Sequence, residues 1–327
     1  MGNKNRRAES AINQIFSELL SIPVLVLETQ VEESFFNINI GFWNNDFDDA
    51  RFETVVRKLR WQDTISEIYQ NLFQQWQQQG KTIETELEKA EFSRRSGEIF
   101  LPLPNNQTLQ LVWIPAGVLK MEGGYTVNLS EFRMGKYPVT QAQYQAVMGT
   151  NPSNFSGIGK ENHPVERVNW HQATEFCQKL TEYLNKRGIN VKIALPSETQ
   201  WEYACRAGTT TKFWFGNSDS QLKNHAWNED NSNSKTHSVI EKEHTHTNPW
   251  GLVDMHGNVW EWCADSWTTY VADLPKDGKP YINTSQSNKL IRGGSWFNFS
   301  NNCASGYRNY YLAGYDNHYC GFRVVCV

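Results

Sequence analysis

"NPWGLVDMHGNVWEWCAD", residues 248–265, packs three Trp, two Gly and two Asn into one short stretch. Indoles at that density among turn formers read as loop-rich chain in a compact domain, where buried Trp rings fill space and their N–H groups find acceptors. Within it, His256 reads as a buried hydrogen-bonding residue and Glu261 as a structural carboxylate. The same Trp, Gly and Asn grammar runs from about residue 210 to the end, so little regular structure is expected there.

Upstream of this stretch, helix signals are clear. Thr140 can cap "QAQYQAVM" with Gly149 after it, and Asn169 can cap "WHQATEFCQKLTEYLNKR" with Gly188 after it. Ser197 and Gln200 form a capping box for "ETQWEYACRA" before Gly208. "LQLVWIPAGVLKMEGG" alternates as a hairpin would, with Pro115, Ala116 and Gly117 at its bend. Before residue 100 the pattern changes. Ile12, Ile15, Phe16 and Leu19 recur at helical spacing, as do Phe52, Val55, Val56 and Leu59, then Ile65, Ile68, Tyr69, Leu72, Phe73 and Trp76. "PVLVLETQVEESFFNINIGFW" between the first two stripes has strand character. Residues 1–100 therefore read as a mainly helical region, whose role stays open between assembly, partner docking and scaffolding.

The bulk properties exclude several classes. A net charge of −4 and a pI near 6.1 argue against a general phosphate-binding surface, so no nucleic acid is expected. No apolar run reaches the roughly 18 to 20 residues a membrane span needs. "MGNKNRRAES" lacks a secretory apolar core, and Arg6 stands where an N-myristoyl site needs Ser or Thr. The expectation is a cytoplasmic protein without a membrane partner. Six cysteines without CxxC spacing are expected to be reduced thiols. No histidine precedes His163, so the N-terminal region cannot supply an imidazole metal cluster. His244 and His246, in "HTH", read as surface residues.

"LVWIPAGVLKMEGG", "YPVTQAQYQAVMG", "HPVERVNWHQATEFCQKL", "LPSETQWEYACRAG", the opening stretch, "LIRGGSW" and "GFRVV" stand in the order of the formylglycine-generating-enzyme-like, or sulfatase-modifying-factor, domain, which residues 108–327 resemble. That resemblance implies an α+β fold, a C-type lectin variant with a small antiparallel sheet and long loops. It also implies three candidate functions. The oxidases of the family use two cysteines after the "GGS" element to hold copper. Here Cys303 is kept, but Asn298 stands where the first cysteine is expected, and an amide cannot replace a thiolate toward Cu(I). Iron-dependent sulfoxide synthases use histidines of a helical partner domain, which this chain lacks. Calcium is held in related domains by oxygens such as those of Asn258 and Glu261, yet two donors fall short of the roughly six to eight required. No cofactor is assigned.

The third function comes from the end of the chain. "RGGSWFNFSNNCASGYRNYYLAGYDNHYCGFRVV" resembles the variable protein of a diversity-generating retroelement, in which adenine-directed mutagenesis rewrites Asn codons. Between Phe297 and Cys320 there are seven Phe or Tyr and five Asn, but no Lys, Glu, Gln, Met or Trp. Those five absent types are the ones such a codon cannot yield. Tyr, Phe, Asn, Ser and Gly together are also the chemistry of an antibody paratope.

The resemblance implies a non-catalytic protein that binds varied ligands, proteins being the expected class, encoded near a reverse transcriptase. Its ligand-contacting set would be Phe297, Asn298, Phe299, Asn301, Ala304, Gly306, Tyr307, Asn309, Tyr310, Tyr311, Tyr315, Asn317, His318, Tyr319 and Cys320. The scaffold would be Arg292, Gly293, Gly294, Trp296, Cys303, Arg308, Gly321, Phe322 and Arg323. The pair Tyr310 and Tyr311 is the expected centre of binding, on a surface where substitution is nearly neutral for stability. The alternative is a formylglycine-generating-type oxidase or a related sulfatase-modifying enzyme.

Overall fold

The computed structural model describes residues 27–32, 35–40 and 98–326. The chain divides into two compact units, Met1–Arg95 and Ser96–Val327. In the first, β1 (Leu27–Glu32) and β2 (Phe35–Ile40) pair antiparallel, in the stretch read as having strand character. The three helical stripes lie outside the described residues. No described helix is long and apolar enough to cross a membrane.

The second unit has the C-type lectin fold of the formylglycine-generating type. Its first sheet holds β3 (Ile99–Pro102), β4 (Thr108–Ile114), β7 (Phe132–Gly135), β8 (Ile193–Ala194) and β13 (Val325–Cys326), in the order β3-β4-β7-β13-β8. The end of the chain thus lies between β7 and β8. The expected hairpin does not form. β4 pairs with β3 and β7, while β5 (Gly117–Lys120) leaves that sheet and pairs with β6 (Thr126–Leu129). After Pro115 the chain leaves the first sheet, and Leu119 of β5 and Val127 of β6 join Trp201 and Met255 in a second part of the core.

Three helices begin with the same device. α1 (Gln141–Met148), α2 (Trp170–Asn185) and α3 (Glu198–Arg206) each carry a complete capping box, from Thr140/Gln143, Asn169/Gln172 and Ser197/Gln200. Each satisfies two backbone N–H groups that the helix itself cannot. α2 buries Ala173, Phe176, Cys177, Leu180 and Leu184 on one stripe, which meets Trp260, Trp262 and Phe322 in the core.

The second sheet carries the site. Its order is β11 (Asn309–Leu312), β10 (Asn288–Arg292), β9 (Trp260–Ser266), β12 (Cys320–Gly321). β10 runs antiparallel to both β9 and β11, and β12 runs parallel to β9. Segment 297–320 therefore ends in one edge strand and contains the other. Several buried indoles find acceptors as expected. Trp262 donates to the Val168 carbonyl at 2.8 Å and Trp201 to Glu261 at 2.7 Å.

Candidate functional site: the segment from Phe297 to Cys320

Two buried arginines build the frame. Arg323 lays its guanidinium on Glu261, Nε and Nη2 reaching the two oxygens at 2.6 and 2.8 Å, and its Nη2 also donates to the Val253 carbonyl. Arg292 pairs with Glu202 and Glu198 with no solvent exposure. Removing one member of such a pair strands the other charge, at a cost of about 3–5 kcal/mol. Arg308 adds a forked pair onto Glu198 at 2.5 and 2.8 Å. Glu198, Glu202 and Glu261 are thus structural carboxylates.

The frame grips the segment by its main chain. Arg292 donates to the carbonyls of Ser305 at 2.8 Å and Tyr307 at 2.9 Å. The Trp296 indole donates to the His318 carbonyl at 3.0 Å. Backbone N–H groups of Trp260, Arg167 and Trp170 donate to the carbonyls of Tyr319, Asn317 and Ala313. A ring nitrogen of His256 bonds the Cys303 carbonyl at 2.7 Å. A carbonyl is offered by every residue type, so these bonds persist when the side chains they bypass are exchanged.

The side chains of the segment fall into three settings. Phe297 and Phe299 are 58% and 66% exposed, and Asn301, Gly306, Tyr307 and Tyr310 are exposed too. Asn298, Ala304, Asn309, Tyr311, Tyr315, Asn317, His318 and Tyr319 are half-buried. Cys320, placed among the ligand contacts by sequence, is fully buried in the core beside Trp260 and Phe322, so its side chain cannot touch a ligand. Tyr311 and Tyr319 pack against the same core, and a uniformly displayed surface is corrected at these two positions. Of the scaffold set, Gly293, Gly294, Trp296, Cys303, Gly321, Phe322 and Arg323 are buried.

One aromatic face results. Tyr311, Tyr315 and Tyr319 meet at ring distances of 4.6 and 6.2 Å, and the Tyr315 and Tyr319 hydroxyls share a bond of 3.1 Å. Phe297 lies parallel to Tyr319, while His318 tilts onto Trp296. Tyr310 is not part of it. Successive residues of a strand point to opposite faces, and Tyr310 instead lies against Trp267 at 4.5 Å. The expected centre at Tyr310 and Tyr311 is therefore split between two faces. Phe155 extends the aromatic face by edge contacts with Trp296 and His318. Nothing in "NPSNFSG" signalled that role, because the contact is made across a long sequence separation.

Redox chemistry is poorly served. The Cys303 thiol is buried, and burial pushes it up to about 12. Its sulfur sits against Gly294, where φ is +73° and an added Cβ would stand 2.5 Å from it. Asn298 accepts from the Ser295 hydroxyl at 2.6 Å. One enclosed thiol and one amide do not fit a Cu(I) site. Glu261 is already held by Arg323 and Trp201, and the Asn258 amide oxygen accepts from the His237 N–H at 3.1 Å while its nitrogen donates to Asp254 and the His237 carbonyl, which leaves the two suggested calcium donors committed elsewhere. Among the described residues, no three His, Cys, Asp or Glu side chains come together as a metal site. All six cysteines are free.

The histidines divide. His244 is exposed, but His246 is buried with Asp254 at 2.7 Å, contrary to a surface placement, because the four-residue helix Glu243–His246 turns it inward. His256 is buried and hydrogen-bonded, and burial drives it down to about 3. Glu166, behind Phe155, accepts from the Phe155 N–H at 2.8 Å and is fully buried. Burial raises its carboxyl to about 7.

Comparison with known proteins places this geometry. Residues 98–326 match the sulfatase-modifying factor enzyme 1-like domain. A chaperone protein LppX of Paenibacillus barcinonensis is 30% identical over 66% of this chain and 88% of its own length. The mouse formylglycine-generating enzyme is 29% identical over 51% of this chain, a match spanning 43% of that enzyme. Among solved structures, Treponema denticola variable protein 1 superposes with a TM-score of 0.63 at 33% identity, covering 70% of this chain and 98% of that one. PvdO from Pseudomonas aeruginosa, at 22% identity and a TM-score of 0.59, shares the fold. The chain belongs to the sulfatase-modifying factor enzyme 1-like domain family.

Proposed function

We propose that the chain is a non-catalytic ligand-binding protein whose segment 297–320 is diversified by a retroelement through adenine-directed mutagenesis, and that its varied ligands are proteins. The observation that carries this reading is the main-chain grip. Arg292, Trp296, Trp260 and Arg167 hold the segment through carbonyls of Ser305, Tyr307, His318, Tyr319 and Asn317. A segment held in that way keeps its course while its exposed side chains change. Tyr and Phe then supply broad contact area at low side-chain entropy cost, and Asn and Ser supply adaptable hydrogen bonds. The likeness to Treponema denticola variable protein 1 supports the same reading.

A second reading is a formylglycine-generating-type oxidase, favoured by the similarity to the mouse enzyme. Asn298 and the enclosed Cys303 thiol weigh against it. Sequencing the gene's neighbourhood separates the two. The binding reading expects a reverse transcriptase gene and a near-identical repeat of the 297–320 coding segment, with mismatches confined to adenines. Absence of such a repeat, together with turnover of a cysteine peptide by the purified protein, would establish the oxidase.

A further inference from the structure

A cleft of about 730 Å³ opens beside the segment, between the end of α3, β5, the turn at 210–212 and residues 304–308. Its wall carries Lys120, Arg206, Lys212 and Arg308 against one carboxylate, Glu202. Lys212 is spent on Asp219 and Asn301, and Arg308 on Glu198. Glu202 is shared between Arg206 and the buried Arg292, so the excess positive charge there rests on Lys120 and Arg206, although the whole chain carries −4. Lys120 is exposed. Arg206 spends Nε on Glu202 at 2.8 Å and Nη1 on the Thr211 carbonyl at 3.0 Å. Its third nitrogen, Nη2, faces Gly306.

Gly306 is the decisive residue. Its φ lies outside the left-handed region, so the backbone there does not demand glycine. An added Cβ would stand 3.0 Å from Arg206 Nη2 and 3.8 Å from a Glu202 oxygen. The missing side chain is what leaves the guanidinium open to the cleft. Met121, Val271 and Tyr307 supply apolar wall beside the cations. A space of this size exceeds a small inorganic anion and suits a side chain with its flanking backbone.

We propose that this cleft receives an acidic side chain of a peptide ligand, paired with Arg206 and Lys120, and that residue 306 gates it. The inference rests on the reading of 297–320 as the binding surface, and it adds a ligand class. Diversification at 306 would then switch the acid receptor on with glycine and off with a larger residue.

The test uses the full chain and two fluorescein-labelled probes, hexaglutamate and hexaglutamine, followed by anisotropy at low salt. Hexaglutamate should bind, with affinity falling as salt rises. Gly306→Val and Lys120→Gln should each weaken it by about tenfold or more at unchanged melting temperature. Equal binding of hexaglutamine, or indifference to Gly306→Val, would overturn the proposal. Displacement of hexaglutamate by equimolar inorganic phosphate would overturn the peptide assignment. A ligand recovered by panning that depends on Phe297 and ignores Gly306→Val would remove the acid receptor and leave the binding surface standing. Hexaglutamate binding with the expected variant losses, and no ligand that depends on Phe297 or Phe299, would do the reverse.

Discussion

The frame around β10 and the segment that follows it belong to one sheet, yet they are held by opposite means. The frame depends on side-chain identity, since Arg323 fits Glu261 by two bonds and Arg292 reaches Glu202, Glu198 and three carbonyls from complete burial. Apart from the fork of Arg308 onto Glu198 and the core contacts of Cys303, Tyr311, Tyr319 and Cys320, the segment depends on the backbone groups that every residue carries. The contrast teaches how one fold can be strict and permissive within a few residues. Strictness sits where charges are desolvated, and permissiveness where the main chain alone is bonded.

The largest effect should come from breaking the frame. Phe322→Ala removes a fully buried ring that stacks edge-on with Phe176 and Tyr144. It should cost about 3–5 kcal/mol in denaturant unfolding. Arg323→Ala should cost a similar amount by stranding Glu261. A loss below about 1 kcal/mol in both would show that the frame is less strict than its geometry implies.

Glu166 sharpens the contrast, because it is a fully buried carboxyl that accepts from the backbone of Phe155, whose ring extends the aromatic face. Its ordinary value is 4.5 and burial lifts it to about 7 in the folded protein. Between those values the folded chain keeps a proton that the unfolded chain has released, so this carboxyl's contribution to stability falls as pH rises from about 4.5 to 7. Glu166→Gln mimics the protonated acid. Relative to that variant, the native protein should lose at most about 3 kcal/mol across the window and nothing further above it. His163 and His256, pushed down to about 4 and 3 by burial, act with the opposite sign below 6.5 and cancel in the difference. A pH-independent difference would refute the assignment.

Tyr310 and Tyr311 test the split of faces. For one recovered ligand, one of Tyr310→Ala and Tyr311→Ala should lose about 2 kcal/mol of binding, and the other almost nothing. Calorimetry reading equal losses from both would restore a single centre across the strand.

Much of this was legible in the sequence. The three capping boxes are local, so Thr140, Asn169 and Ser197 announced their helices without knowledge of the rest. The blocks from Leu111 to Val325 announced the family. The hairpin expected at Pro115 fails because local alternation does not say which sheet a strand joins. Burial of Cys320 and the opposed directions of Tyr310 and Tyr311 follow from β9 and β10, which lie far away in sequence. The charged cleft at Arg206 and Gly306 was invisible for the same reason, since a glycine that makes space looks like one that makes a turn.

The central claim is that the segment is held by its main chain while its outward side chains are free to change. The direct measurement is the unfolding free energy of one protein carrying Phe297→Ser, Phe299→Ser, Asn301→Ser and Tyr310→Ser together. At no more than about 0.5 kcal/mol for each surface site, the combined loss should stay below about 2 kcal/mol. A loss as large as that of Phe322→Ala, about 3–5 kcal/mol, would mean that these side chains build the fold and would contradict the account.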